Sequence, residues 1–132
     1  MVKKIDHIGI AVRNLDQMVK LYEEILGVEC EDYEIIVEQG VRMGMMEVGE
    51  VNIELLESTD PGGPIAKFIE RKGEGFHHIA YEVEDIEAEL AKLKERGVRL
   101  IDETYREGAH ETKIAFIHPK SMAGVLVELV ER

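Results

Sequence analysis

The chain has 132 residues, of which 45% are hydrophobic and 33% are charged, a composition typical of one soluble globular domain. No apolar run approaches the roughly 20 residues that span a bilayer, so we expect no membrane partner. The formal net charge of −12 argues against nucleic acid as a partner, because phosphate backbones are bound by basic surfaces. The single cysteine, Cys30, cannot form an internal disulfide, which favours a cytoplasmic location.

The first part of the chain predicts a strand, a helix and three more strands. Residues 3–12 are rich in β-branched side chains and predict a buried strand. Asn14 then begins a helix, with Gln17 three residues later in the capping-box position, and Gly27 ends it. Glycines separate the short strands that we expect next, over residues 29–37, 41–48 and 51–57.

A break and a short helix separate this part from a second one with the same order of elements. The break is Asp60-Pro61-Gly62-Gly63-Pro64, and the helix runs from Ile65 to Lys72. In the second part a strand over 76–84 is followed by a helix that Asp85 caps and Gly97 ends. Three more strands are expected near residues 98–104, 112–118 and 124–131.

Each part is therefore a βαβββ module, and neither has enough apolar area to fold alone. We expect a single domain over residues 1–132 in which the two modules pack together. Its parts are the first module over about 3–58, a linker helix over about 61–73 and the second module over about 75–132.

The two modules carry one histidine and one glutamate at matched positions. His7, in Asp6-His7-Ile8-Gly9-Ile10, matches His78, in His77-His78-Ile79-Ala80-Tyr81, at an offset of 71 residues. The last strand of each module carries Glu54 or Glu128, which follow their histidines by 47 and 50 residues. A duplicated module that repeats both residue types suggests one site built from two halves.

Strand alternation places both glutamates on the face away from their apolar neighbours. Ile53 and Leu55 point to one side of their strand and Glu54 to the other, and Val127 and Leu129 likewise point away from Glu128. A buried carboxylate without a partner costs several kcal/mol, so something must neutralise both.

Two neutral imidazoles and two carboxylates suit a divalent cation. We therefore predict a metal site formed by four residues, His7, Glu54, His78 and Glu128. His77 has the wrong strand parity for this site, and Asp6 stands at its matched position.

Paired βαβββ modules with a histidine at the start of each and a glutamate in each last strand resemble the vicinal oxygen chelate, or glyoxalase-like, superfamily. The resemblance spans essentially the whole chain. It implies an α+β fold in which eight strands curl into an open barrel-like sheet around one metal ion. It also implies His7, Glu54, His78 and Glu128 as ligands of one divalent ion per chain, Co²⁺, Mn²⁺, Ni²⁺ or Zn²⁺, and a homodimer.

Within that superfamily the chain resembles the methylmalonyl-CoA epimerase family. The phrases that carry the likeness are Gly75-Phe76-His77-His78-Ile79-Ala80, Gly108-Ala109-His110 and His118-Pro119-Lys120-Ser121. The resemblance implies epimerisation of methylmalonyl-CoA between its 2R and 2S forms through a metal-stabilised enolate, with Glu128 and Glu54 as candidate acid/base groups. One departure concerns Met43, because some epimerases have a glutamate, proposed as a base, near that position.

The expected substrate is an anionic CoA thioester, which an acidic protein binds only through a local basic patch. Lys120 and Ser121 stand in the turn that precedes the strand of Glu128, and we predict that they contact the substrate. A solvated lysine and a turn serine are the alternative.

Three other functions fit parts of the pattern. A glyoxalase I-type isomerase (lactoylglutathione lyase) uses the same His-Glu-His-Glu set, although its usual Asp-Pro-x-Gly turn is replaced here by His118-Pro119-Lys120-Ser121. A ring-cleaving dioxygenase needs only two histidines and one carboxylate with redox-active iron. A small ligand-sequestering protein of the same fold is the non-enzymatic alternative, and such binders tend to lack the ligand residues.

Overall fold

The structure is a computed structural model that describes residues Met1–Arg132. It contains eight strands and three α-helices, which is the predicted α+β class with βαβββ order in each half. The elements are β1 (Val2–Ala11), α1 (Leu15–Leu26), β2 (Asp32–Ile36), β3 (Val41–Val48), β4 (Val51–Ser58), α2 (Pro64–Lys72), β5 (Gly75–Val83), α3 (Ile86–Glu95), β6 (Arg106–Glu107), β7 (Lys113–Ile117) and β8 (Val127–Glu131). None of the helices combines the length and the apolar character that crossing a membrane requires.

The residues divide into two compact units. The first unit is His7–His77, and the second unit consists of Met1–Asp6 together with His78–Arg132. The division passes through β1 and β5, so each of these strands contributes residues to both units.

In the first unit the strands lie in the order β2-β3-β4-β1, with β1 parallel to β4 and the other pairs antiparallel. Helix α1 begins as predicted, because the Asn14 side chain accepts a hydrogen bond from the Gln17 backbone N–H at 3.0 Å. It ends at Gly27, whose φ of 68° is a left-handed conformation that suits glycine. Val19 on this helix packs with Leu55 of β4 in a buried apolar cluster.

In the second unit the order is β5-β8-β7-β6, with β5 parallel to β8. The Asp85 side chain caps α3 by accepting from the Ala88 backbone N–H at 3.1 Å, as predicted. The helix buries its apolar side against one face of the sheet. The core of this unit comprises Val83, Ile86, Leu90, Ala115, Ile117, Val127 and Leu129.

The strand predicted over residues 98–104 is wrong, and the edge strand is instead the two-residue β6. The backbone N–H groups of Ile101 and Asp102 both donate to the Phe116 carbonyl, at 2.9 and 3.2 Å. The Asp102 side chain in turn accepts from the Phe116 N–H at 2.8 Å. Because a side chain takes the position of a backbone partner, a regular ladder cannot form there.

An ion pair between a buried carboxylate and a partly exposed guanidinium ties β1 to the end of the second unit. Asp6 is 2% exposed, and its carboxylate accepts two hydrogen bonds from Arg132, at 2.7 and 2.8 Å. A two-pronged guanidinium–carboxylate contact is among the strongest polar interactions in proteins. It fixes β1 directly before His7.

The Arg132→Gln variant should lose about 2 kcal/mol of unfolding free energy, because it leaves the Asp6 carboxylate buried without its cation. Urea unfolding measures this loss. Lys3→Gln is the matched control, since Lys3 and Glu82 form a more exposed pair at 3.3 Å, and it should cost less than about 1 kcal/mol. Equal losses of unfolding free energy in the two variants would show that the pair of Asp6 and Arg132 stabilises the fold no more than an exposed pair does.

Candidate active site

The first unit holds a buried imidazole–carboxylate pair. His7 lies on β1 and Glu54 on β4, and their side chains are 6% and 8% exposed. Nδ1 of His7 lies 3.5 Å from Oε2 of Glu54. Glu54 is the only buried carboxylate of this unit, and His7 is its only buried histidine.

The second unit holds the matching pair. His78 lies on β5 and Glu128 on β8, and Nε2 of His78 lies 3.1 Å from Oε1 of Glu128. Both residues are buried, at 4% exposure each. The unit's other buried carboxylate, Asp6, is bound by Arg132, which leaves Glu128 as the buried carboxylate beside an imidazole.

The same strand register builds both pairs. Gly9, two residues after His7, is paired with Glu54, and Ala80, two residues after His78, is paired with Glu128. Residues two apart share one face of a strand, so each imidazole and carboxylate lie on the same face. A small residue opposite each glutamate leaves that face open to the histidine.

The opposite face of each sheet is apolar, as strand alternation predicted. Ile53 and Leu55 join the apolar cluster of α1, while Val127 and Leu129 join that of α3. The prediction that Glu54 and Glu128 point away from these neighbours is therefore confirmed. Met43, near the position where the epimerase resemblance implies a carboxylate, is fully buried and is paired with Leu56.

The turn that contains Lys120 and Ser121 is tied to residue 99. The Ser121 hydroxyl oxygen accepts the Arg99 backbone N–H at 2.9 Å, and the His118 N–H donates to the Arg99 carbonyl at 3.0 Å. Ser121 therefore has a structural contact that its sequence position did not reveal. Lys120 is exposed and makes no ion pair.

The surroundings of His118 in this turn favour its neutral form. Desolvation lowers the pKa of His118, and the neighbouring cations of Arg99 and Lys120 lower it further. Its Nδ1 accepts the Lys120 backbone N–H at 3.0 Å, which requires that nitrogen to be unprotonated. The positive charge of the turn therefore comes from Arg99 and Lys120.

The donor chemistry of the two pairs fits a divalent metal ion. His7, Glu54 and His78 are buried and offer nitrogen and oxygen ligand atoms, and Glu128 offers a further carboxylate. Mixed nitrogen and oxygen ligation suits several first-row ions. Buried carboxylates beside imidazoles also gain from a cation that neutralises them.

Comparison with known proteins identifies the family of the chain. Residues 6–116 match the sequence-family model of the Glyoxalase/Bleomycin resistance protein/Dioxygenase superfamily. The mitochondrial methylmalonyl-CoA epimerase of Dictyostelium discoideum is 38% identical over 132 residues, which cover 99% of this chain and 80% of that protein. The ethylmalonyl-CoA/methylmalonyl-CoA epimerase of Cereibacter sphaeroides is 38% identical over 98% of each chain.

The fold agrees as well. The structure of a variant of Streptomyces coelicolor methylmalonyl-CoA epimerase in complex with 2-nitronate-propionyl-CoA superposes with a TM-score of 0.95. It is 38% identical and covers 99% of this chain and 95% of that one. Because the superfamily model matches residues 6–116 and named epimerases are 38% identical over 98–99% of this chain, the chain belongs to the methylmalonyl-CoA epimerase family of the glyoxalase superfamily.

Proposed function

We propose that the protein interconverts the 2R and 2S forms of methylmalonyl-CoA. The observation that carries this proposal is the buried His–Glu pair repeated in the same strand register in both units, in a chain 38% identical to two named epimerases. The reaction removes the proton at C2, between the thioester and the carboxylate, and returns a proton to the opposite face. The chain must therefore stabilise negative charge and carry protons at two positions.

The proposed ligands of a divalent ion are His7, Glu54, His78 and Glu128, and the donor chemistry described above supports them. Such an ion supplies a Lewis acid that disperses the negative charge that develops on the substrate oxygens. Co²⁺, Mn²⁺, Ni²⁺ and Zn²⁺ all accept this mixture of nitrogen and oxygen ligands.

The proton carriers that we propose are Glu128 and Glu54. Inversion through a planar carbanion requires one acid/base group on each face of the carbon. These two glutamates are the buried carboxylates that lie beside imidazoles, and each comes from a different unit. A carboxylate has two oxygens, so one can face the histidine or an ion while the other exchanges a proton.

The glyoxalase I reaction is the competing proposal, because it needs the same four residue types. The named epimerase relatives favour the CoA thioester instead. Assays of the two substrates in parallel, methylmalonyl-CoA and the hemithioacetal of glutathione and methylglyoxal, distinguish them. Turnover of the hemithioacetal alone would overturn our proposal.

We also propose that the enzyme acts in the cytoplasm as a homodimer. The free thiol of Cys30 supports a reducing compartment. The edge strand β2 exposes Tyr33 and Ile35, apolar side chains of the kind that an association between copies covers.

Metal binding should depend on His78 and not on its neighbour. His78→Ala removes a proposed ligand and should weaken metal affinity on the order of 100-fold or more, since the loss of supporting groups alone costs 10- to 100-fold. His77→Ala is the matched control, because His77 stacks edge-on against Phe68 at 4.7 Å. Metal titration with elemental analysis measures both variants, and equal losses would contradict the assignment.

Glu128→Gln and Glu54→Gln should each slow epimerisation by about 10²- to 10⁴-fold, the usual contribution of a positioned acid/base group. Each variant retains one proposed base, so each should still exchange the C2 proton of one epimer in heavy water, and the two should favour opposite epimers. Proton NMR of purified epimers measures this exchange at matched metal content. Preference for the same epimer would contradict the two-carboxylate proposal.

Lys120→Ala should raise the KM for methylmalonyl-CoA by about three- to tenfold, because the exposed ammonium attracts an anionic substrate. Unfolding free energy and metal content should not change. Lys94→Ala is the control, since Lys94 is also exposed, lies in the same unit and makes no ion pair. If the KM rises equally in both variants, the effect belongs to net charge and not to Lys120.

A further inference from the structure

Arg106 in the edge strand β6 makes contacts that a solvated arginine does not make. Its side chain is 47% exposed, yet Nε lies 3.3 Å from Oδ1 of Asp102. Its guanidinium carbon lies 5.4 Å above the centre of the Phe116 ring. A cation held over an aromatic face and against a carboxylate keeps one orientation.

Asp102, which holds Arg106, is itself immobilised. Its second oxygen accepts the Phe116 backbone N–H at 2.8 Å, and its side chain is 16% exposed. The Asp102 carboxylate therefore links the Arg106 guanidinium to β7, the strand that carries Phe116. The guanidinium stacks on the ring of that same Phe116. The ion pair is closest at Nε of Arg106, and neither terminal nitrogen donates a hydrogen bond within the protein. The planar fork that binds carboxylates in two-pronged fashion is left available.

Phe116 links this fork to the candidate active site. Its ring lies edge-to-face with the His78 imidazole, with the ring centres 5.6 Å apart. Phe116 in β7 is paired with Glu128 in β8. Arg106 in β6 is paired with Ile114, which lies two residues before Phe116 in β7. Paired residues and residues two apart share a face, so Arg106, Phe116 and Glu128 lie on one face of the sheet.

The backbone that carries Arg106 is also tightly fixed. A Cβ added at Gly108 would lie 2.7 Å from both Ile114 Cγ2 and Thr112 Oγ1, so only glycine fits there. The next residues include His110 and Glu111, with φ of 55° and 59°, which non-glycine residues rarely adopt. A loop held in this way keeps β6 against β7, and functional sites often contain such conformations.

We propose that Arg106 binds the free carboxylate of the acyl group of the substrate. The inference rests on the proposed function, which requires an anion beside the reacting carbon. The guanidinium lies one aromatic ring from His78, which suits the carboxylate near C2 better than the phosphates at the far end of the CoA arm. Arg106 is thereby a specificity residue that distinguishes dicarboxylic acyl-CoA thioesters from simple ones.

The test is the binding of two non-epimerisable probes by calorimetry. Malonyl-CoA carries the carboxylate, and propionyl-CoA lacks it. Arg106→Gln should weaken malonyl-CoA binding by about 10- to 100-fold, the loss expected for a charge-assisted contact, and should change propionyl-CoA binding by less than about twofold. Arg106→Lys should recover part of the loss, because it keeps the charge and loses the fork.

Arg96→Gln is the matched control, because Arg96 is exposed in the same unit, makes no ion pair and changes net charge equally. It should leave both probes unaffected, and thermal midpoints and metal content should match in all variants. Equal weakening of both probes by Arg106→Gln would assign the contact to the CoA phosphates and overturn the inference, as would no weakening of either. Equal binding of the two probes by the wild-type protein would also overturn the inference, whereas the proposed function fails only if the protein does not epimerise methylmalonyl-CoA.

Discussion

Parallel pairing between a histidine strand and a glutamate strand is the constraint on which the candidate site depends. In each unit the residue two positions after the histidine lies opposite the glutamate, Gly9 with Glu54 and Ala80 with Glu128. A shift of one residue would turn each glutamate to the other face of its strand. That face is apolar and covered by a helix, so the shifted carboxylate would be buried without a partner.

The hydrophobic effect therefore positions the polar site indirectly. Helices α1 and α3 bury apolar side chains of β4 and β8, and this burial selects one register from those that the backbone alone allows. Leu55 and Val127 contribute to the site in this sense, although neither offers a ligand atom. The same logic explains why Gly9 and Ala80 are small, since a larger side chain would occupy the space beside the glutamate.

The second unit carries exposed cations although the chain as a whole is acidic. The chain carries a net charge of −12, yet the second unit holds Lys120 without an ion-pair partner and Arg106 with terminal nitrogens that donate no hydrogen bond within the protein. Asp102 is the carboxylate that pairs with Arg106. It orients the guanidinium and offsets part of the positive charge of that group. An acidic protein that binds an anionic thioester needs such local cations, because the overall field repels the substrate.

Much of the fold and of the candidate site could be predicted from the sequence. Helix caps at Asn14 and Asp85, alternation about Glu54 and Glu128, and the repeated module are all encoded by residues near one another in the chain. The ligand assignment followed from the repeat and the resemblance, and it remains a proposal.

Only the tertiary structure revealed the contacts that join distant residues. Asp6 is bound by Arg132, 126 positions away. The Asp102 side chain accepts a hydrogen bond from the Phe116 backbone N–H where a strand was predicted. Arg106 reaches the neighbourhood of His78 through an aromatic ring that no local pattern selects. Periodicity and capping are properties of short segments, whereas these contacts depend on which strands pair and in what register, and that is decided by packing over the whole chain.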